Sequence, residues 1–190
     1  MKKKPIAVFI SGRGSNLNSI INACKNENFP GFISIVISDN RNAVGLEYAK
    51  KNKIKYMIFE AQEFMTKDQL EKEMLAELKN HNIHLICLAG YMQILSKYFI
   101  KNFKNKIINI HPSLLPKFKG LNTHERVIDA NESTSGCTVH YVDESLDGGE
   151  IIQQMNLPVM NDDTSEELSR KVLKLEHKLY PEVIKNLLIK

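Results

Sequence analysis

At 190 residues the chain is long enough for one domain that buries about 70% of its unfolded surface and too short for two, so a single domain over 1–190 is expected. With 43% hydrophobic and 25% charged residues it has the make-up of an ordinary globular protein. The balance of 26 Lys and Arg against 22 Asp and Glu leaves a formal charge of +4, which suits an anionic small molecule, is too diffuse for DNA, and argues for no nucleic-acid partner.

The start, MKKKPIAVFISGR, superficially resembles a secretory leader. Its apolar run covers only 6–10 before Ser11, Gly12 and Arg13, shorter than the roughly 7–15 residues a signal core needs, so a first β-strand is the better reading. No segment approaches the ~18 consecutive apolar residues of a membrane helix. Cys24, Cys87 and Cys137 are odd in number and lack CxxC spacing, which points to reduced thiols and a cytoplasmic location without membrane contact.

Directly after that strand comes SGRGSNL, in which Gly12 and Gly14 imitate the opening of a dinucleotide fingerprint while Leu17 takes the place of its third glycine. What remains is a tight turn followed by Ser15 and Asn16 at a helix start, where free N–H groups and the positive dipole end favour one phosphate. The bland alternative is a βα turn with Ser15 as a cap. Further along, apolar runs at 33–37, 56–59, 84–89 and 107–110 are β-branched and mostly non-alternating, as expected of parallel strands buried on both faces. Between them 15–26, 42–51 and 66–80 have helical periodicity, and Thr66 with Gln69 makes a capping-box pattern. This is a βαβ series, with the glycine loop and the ends of 33–37, 84–89 and 107–110 at the ligand-binding edge. The loop AGYMQILS after 84–89, with Met92 and Leu95, reads either as core or as the wall of an aromatic site.

The strand at 107–110 runs into NIHPSLLP. Asn109 and His111 are two apart and should project to one face, with Ile108 and Ile110 on the other. Pro112 holds His111 in an extended backbone. Such a His can shuttle a proton near neutrality, and a carboxamide beside it can donate to a developing oxyanion. No protein nucleophile presents itself: there is no G-x-S-x-G elbow, and Ser113 follows a Pro without an adjacent base pattern. A His/Asn pair with an external nucleophile suits acyl transfer between two bound small molecules.

After Gly136, GCTVHYV and EIIQQM are joined across VDESLDGG, a connection short enough for an antiparallel hairpin. Asp147 precedes Gly148 and Gly149, whose glycines are expected to take positive φ and present its carboxylate toward His111. His140 lies in an alternating strand and reads as structural. His81 and His84 fall at a helix end and a strand start, and HERVI lacks the second His of H-E-x-x-H, so no metal is expected. Thr164 and Glu167 repeat the capping-box pattern, and Leu168, Val172, Leu175 and Leu179 make an apolar stripe continuing toward Pro181, so a long terminal helix should close the fold.

Together, SGRGSNL, LAGYMQILS, NIHPSLLPKFKG, GCTVHYVDESLDGG and LEHKLYP, in this order over nearly the whole chain, resemble the folate-dependent phosphoribosylglycinamide formyltransferases of purine biosynthesis. The resemblance implies a single-domain formyltransferase fold, a Rossmann-like parallel sheet with helices on both faces and an antiparallel hairpin extension. It implies transfer of formyl from 10-formyltetrahydrofolate to the amino group of glycinamide ribonucleotide by a monomer or homodimer. It makes Asn109, His111 and Asp147 the catalytic trio, with Gly14, Ser15 and Asn16 on the ribonucleotide phosphate. Glu176, which periodicity alone would leave as a solvated helix charge, would bind the ribose. Met92, Gln93, Ile94, Leu95, Asn109, Val142 and Asp143 would surround the folate. The family also implies a cis peptide at Leu115–Pro116. Gln93 stands where one branch of the family has Arg, leaving Lys67, Lys117 or Lys119 to meet the folate glutamate tail. Formyltetrahydrofolate hydrolases and methionyl-tRNA formyltransferases share the Asn/His/Asp core but carry additional domains, which this chain is expected to lack. A noncatalytic mononucleotide-binding module would leave the trio unexplained.

Overall fold

The β-branched runs become the middle of one seven-stranded sheet. In the computed structural model, which describes residues 2–104 and 106–189, the strands are β1 (Lys4–Ile10), β2 (Gly31–Ser38), β3 (Tyr56–Ile58), β4 (Leu85–Leu88), β5 (Ile107–His111), β6 (Thr134–Tyr141) and β7 (Ile151–Pro158). They lie in the order β3-β2-β1-β4-β5-β6-β7. The first five are parallel, and β6 runs antiparallel to both β5 and β7. The sheet is therefore mixed, with the expected hairpin at its C-terminal edge.

Burial on both faces explains why the parallel strands lack alternation. Along β1, Ile6, Val8 and Ile10 join one apolar cluster while Ala7 and Phe9 join the other. The first cluster is covered by α1 (Ser15–Cys24), α2 (Gly45–Lys51), α5 (Thr123–Asp129) and α6 (Ser165–Ile189), and the second by α3 (Lys67–Asn80) and α4 (Lys97–Asn102). Thr66 accepts from the Gln69 N–H at 3.2 Å. At α6 the capping box is reciprocal, with the Glu167 N–H donating to Thr164 Oγ1 and the Thr164 N–H to the Glu167 carboxylate. The α6 helix continues through Pro181 to residue 189.

Neither α4 nor α5 was expected. Each is shorter than two turns, and α5 starts from Asn122 in the left-handed conformation without a side-chain cap, so neither carries a readable period. The helix expected over 42–51 begins only at Gly45, because the Asn42 N–H is taken by the Asn40 side chain and the Ala43 N–H by the Asn40 carbonyl. The Leu115–Pro116 bond is cis. Among the described residues no helix is long and apolar enough to cross a membrane.

Candidate active site

The sheet order reverses direction between β1 and β4, and a crevice opens beyond the carboxyl ends of strands at such a point. Two loops meet there. The Ser11 N–H donates to the Gly90 carbonyl at 3.1 Å, and the Met92 N–H donates to Ser11 Oγ at 2.8 Å. The glycine loop and the AGYMQ loop thus form one rim, next to the end of β5.

At the glycine loop, Gly14 has φ 70°, and a Cβ there would lie 2.4 Å from the Gly45 Cα. The Gly45 N–H in turn donates to the Gly12 carbonyl at 2.9 Å. Glycine at 14 is therefore required first by the contact between the start of α1 and the start of α2. No side chain caps α1 and no acidic residue occupies its first turn, so its N-terminal N–H groups and dipole are left to an anion. Asn16 Nδ2 donates to Glu176 Oε2 at 2.6 Å, bringing two of the expected ribonucleotide residues together across 160 positions. Glu176 is only 7% exposed. Burial raises its carboxyl pKa, while the Asn16 hydrogen bond and the Arg13 charge oppose the rise. Asn16 Oδ1 is buried without a protein partner, an acceptor that a ligand hydroxyl or N–H would satisfy.

At the end of β5, Ile108 and Ile110 enter the first cluster and Ile107 the second, so Asn109 and His111 share the opposite face from Ile108 and Ile110, as expected. His111 is buried, with Nδ1 at 3.4 Å from Asp147 Oδ2 and Nε2 at 2.9 Å from the Phe118 carbonyl. Both ring nitrogens face acceptor oxygens. Asp147 Oδ2 also accepts from the Gly120 N–H at 2.8 Å. The turn that carries it differs from expectation: φ is positive at Asp147 itself (46°), a conformation that Asp tolerates better than most residues. The glycines instead serve close packing, since a Cβ on Gly149 would lie 1.9 Å from the Tyr141 carbonyl oxygen and one on Gly148 2.2 Å from Ser145 Oγ.

His140 belongs to the same cluster, which its place in an alternating strand does not suggest. It pairs with Asn109 across β5 and β6. Its Nδ1 lies 2.8 Å from the Tyr141 carbonyl, which can only accept, so Nδ1 carries the proton. Burial lowers the His140 pKa against the opposing pull of that carbonyl and of Asp147, which leaves the ring neutral and Nε2 a lone pair. Asn109 Nδ2 lies 3.3 Å from that Nε2, so one amide hydrogen is engaged and the other is free to point into the crevice. Asp147 Oδ1 stands 3.7 Å from the same nitrogen.

The residues expected around a folate are divided. Met92 is 61% and Ile94 70% exposed at the rim, whereas Leu95 is part of the second core cluster. Gln93 donates to Asp39 Oδ2 at 2.9 Å. Val142 is half-buried against the second cluster, and Asp143 accepts from the Ser145 N–H and hydroxyl, which lower its pKa. Of the three lysines considered for the folate tail, Lys117 is paired with Glu132 at 2.7 Å and Lys67 donates to the Ile94 carbonyl at 2.5 Å.

None of the cysteines offers a thiolate. Burial pushes the Cys24 thiol up to about 11 and Cys137 up to about 12, and raises Cys87 as well. Among the described residues no group of three or more His, Cys, Asp or Glu side chains is disposed to hold a metal ion.

Known proteins are similar to this one over nearly the whole chain. Residues 4–184 match the formyl transferase family. The chain is 43% identical to phosphoribosylglycinamide formyltransferase of Haemophilus influenzae over 182 residues, 96% of this chain and 86% of that protein. It is 39% identical to the human trifunctional purine biosynthetic protein adenosine-3, over 95% of this chain but 18% of that longer protein. The crystal structure of phosphoribosylglycinamide formyltransferase from Brucella melitensis superposes with a TM-score of 0.96 at 43% identity, covering 100% of this chain and 97% of that one. With a family match over residues 4–184 and relatives of this identity and coverage, the chain belongs to the formyl transferase family.

Proposed function

We propose that this protein transfers the formyl group of 10-formyltetrahydrofolate to the amino group of glycinamide ribonucleotide, giving N-formylglycinamide ribonucleotide and tetrahydrofolate in purine biosynthesis. The observation that carries the reading is the convergence of Asn109, His111, Asp147 and His140 at the end of β5, without a protein nucleophile. In this reading the phosphate lies on Gly14, Ser15 and Asn16 and the ribose on Glu176. The pterin lies along Met92, Ile94, Leu95 and Val142, with Gln93 and Asp143 at its polar edge.

The amine nitrogen attacks the formyl carbon, a C–N bond forms, and the carbonyl π electrons move to oxygen. Asn109 donates its free amide hydrogen to that oxyanion. His111 donates Nε2–H after exchanging its hydrogen bond with the Phe118 carbonyl for one to the substrate. Asp147, 3.4 Å from Nδ1, holds His111 in position. Collapse of the intermediate breaks the bond to N10, and N10 takes up the proton that the neutral amine gives up on acylation. Holding both substrates in line supplies much of the rate.

The test follows formyl loss from 10-formyltetrahydrofolate with and without glycinamide ribonucleotide. Consumption dependent on the amine, with one formylated product per donor used, is expected. Brisk loss without any amine would replace this reading with a hydrolase.

A further inference from the structure

The chain has four arginines, and two of them are tied to the protein. Arg41 pairs with Glu60 and Glu63. Arg126 donates to the Lys119 and Leu121 carbonyls and lies over the Phe118 ring. Arg13 and Arg170 have neither an ion pair nor a side-chain hydrogen bond among the described residues. Both of these free arginines line the same groove, a cleft of about 460 Å³ between the glycine loop and the first turns of α5 and α6. An exposed guanidinium has no intrinsic reason to be near another, since like charges repel. Two unpaired forks facing one cleft are a disposition suited to an oxyanion, which each can bind through two parallel N–H bonds.

The remaining lining narrows the ligand. Ser165 and Ser169 offer hydroxyls, and Glu125 and Glu166 offer acceptors. His124 adds an Nδ1 that is shielded from solvent and has no partner, on a ring that burial and the nearby His111 keep below its ordinary pKa. Bare phosphate would be attracted by the arginines and repelled by the carboxylates. A sugar phosphate carries both complements, an anionic group for the arginines and hydroxyls for the glutamates. The groove borders the expected ribonucleotide residues through Arg13. Arg13 directly precedes Gly14 and is close enough to lower the Glu176 pKa, and Arg170 lies on the same helix as Glu176.

We propose that Arg13 and Arg170 form a two-sided clamp on the phosphate of the ribonucleotide, adding charge-assisted side-chain bonds to the N–H groups at the start of α1 and selecting the phosphorylated acceptor over its riboside. The proposal rests on the ribonucleotide reading of the crevice, and it concerns residues that the glycine-loop pattern does not include. The clamp is a binding device: it touches neither the amine nor the formyl carbon, so it acts on KM and leaves kcat alone.

Both arginines are exposed, so Arg13→Gln, Arg170→Gln and the double variant should fold, which circular dichroism verifies. Each single variant should raise KM for glycinamide ribonucleotide about 10-fold and the double variant roughly 100-fold, in line with hydrogen bonds to charged groups. KM for the formyl donor and kcat should stay within about twofold of the parent. With the unphosphorylated glycinamide riboside as acceptor, parent and variants should be indistinguishable. Equal KM values for ribonucleotide in parent and double variant would overturn the clamp while leaving the transferase reading intact. Calorimetry with ribose 5-phosphate and with ribose decides the clamp even if the parent enzyme formylates no ribonucleotide. A preference for ribose 5-phosphate that disappears in the double variant supports it, and an unchanged preference, or none in the parent, sinks it.

Discussion

At the glycine loop the ligand-facing surface is backbone held by backbone, whereas at the end of β5 it is side chain held by side chain. Gly14 and Gly45 touch through their main chains, and the Gly45 N–H bonds to the Gly12 carbonyl. Asn109 is oriented by His140, and His111 by Asp147 and the Phe118 carbonyl. The first construction couples the proposed anion site to the packing of two helices, so Gly14 is as much a folding residue as the binding one proposed. The second separates chemistry from folding, because each functional atom can be removed while the strand pairing of β5 and β6 remains.

The largest test of this contrast is Gly14→Val. With φ at 70° and a Cβ position 2.4 Å from the Gly45 Cα, the substitution should cost more than about 4 kcal/mol and leave little folded protein. Gly12, around whose Cβ position nothing lies within 4 Å, should accept Ala with a midpoint of urea unfolding close to that of the parent. If Gly14→Val folds normally and loses only ligand affinity, the loop is a binding element after all and the contrast dissolves.

Asn109→Ala comes next. Losing one oxyanion donor should lower kcat by roughly 10²–10³-fold with an unchanged unfolding midpoint, and near-parental turnover would remove Asn109 from the chemistry. His140→Leu should lower kcat about 10-fold, because the Asn109 amide loses the acceptor that keeps its N–H₂ facing inward while the amide itself stays. The parent should also lose turnover on the acid side as His140 becomes charged and Nε2 turns from acceptor to donor. That limb should be weakened in His140→Leu, and an identical acid limb in both proteins would contradict the arrangement.

The smallest effect concerns Glu176, which takes a side-chain hydrogen bond from Asn16 beside the glycine loop. Its folded pKa lies above the ordinary value of 4.5, so its contribution to stability is complete below that value and is lost as pH rises through the raised one. Glu176→Gln abolishes this loss. Stability at neutral pH should rise by about 0.5–2 kcal/mol, its decline on leaving acid pH should flatten, and KM for the ribonucleotide should increase. A destabilised Glu176→Gln protein would mean that the carboxylate serves the fold.

Much of this architecture is legible in the residues, for a physical reason. Strands buried on both faces write continuous β-branched runs, and Thr66 and Thr164 write their own helix starts. Asn109 and His111 stand out because polar groups two apart in such a run violate its pattern. His140 does not, since β6 contains polar and apolar residues throughout, and only its pairing with Asn109 reveals it. Glu176 is instructive in another way. The stripe read through Leu175 is half-exposed there, while the buried face runs through Val172, Glu176, Leu179 and Tyr180. A carboxylate one turn from both Val172 and Tyr180 on that face was a signal of a buried polar group, and so of a ligand.

One contact from that face links the two ends of the crevice. The Tyr180 hydroxyl lies 2.8 Å from the Leu88 carbonyl and 3.1 Å from the Ile108 carbonyl, one helical turn beyond Glu176 and next to Asn109 along β5. It rivets α6 to the strand ends, so Glu176 at one end and Asn109 at the other sit on a single stiff ruler. The spacing between them cannot stretch to suit the acceptor. Under the proposed function, an acceptor whose amine stood one bond nearer to or farther from its ribose would present its nitrogen off the mark, and length itself would be what the site reads.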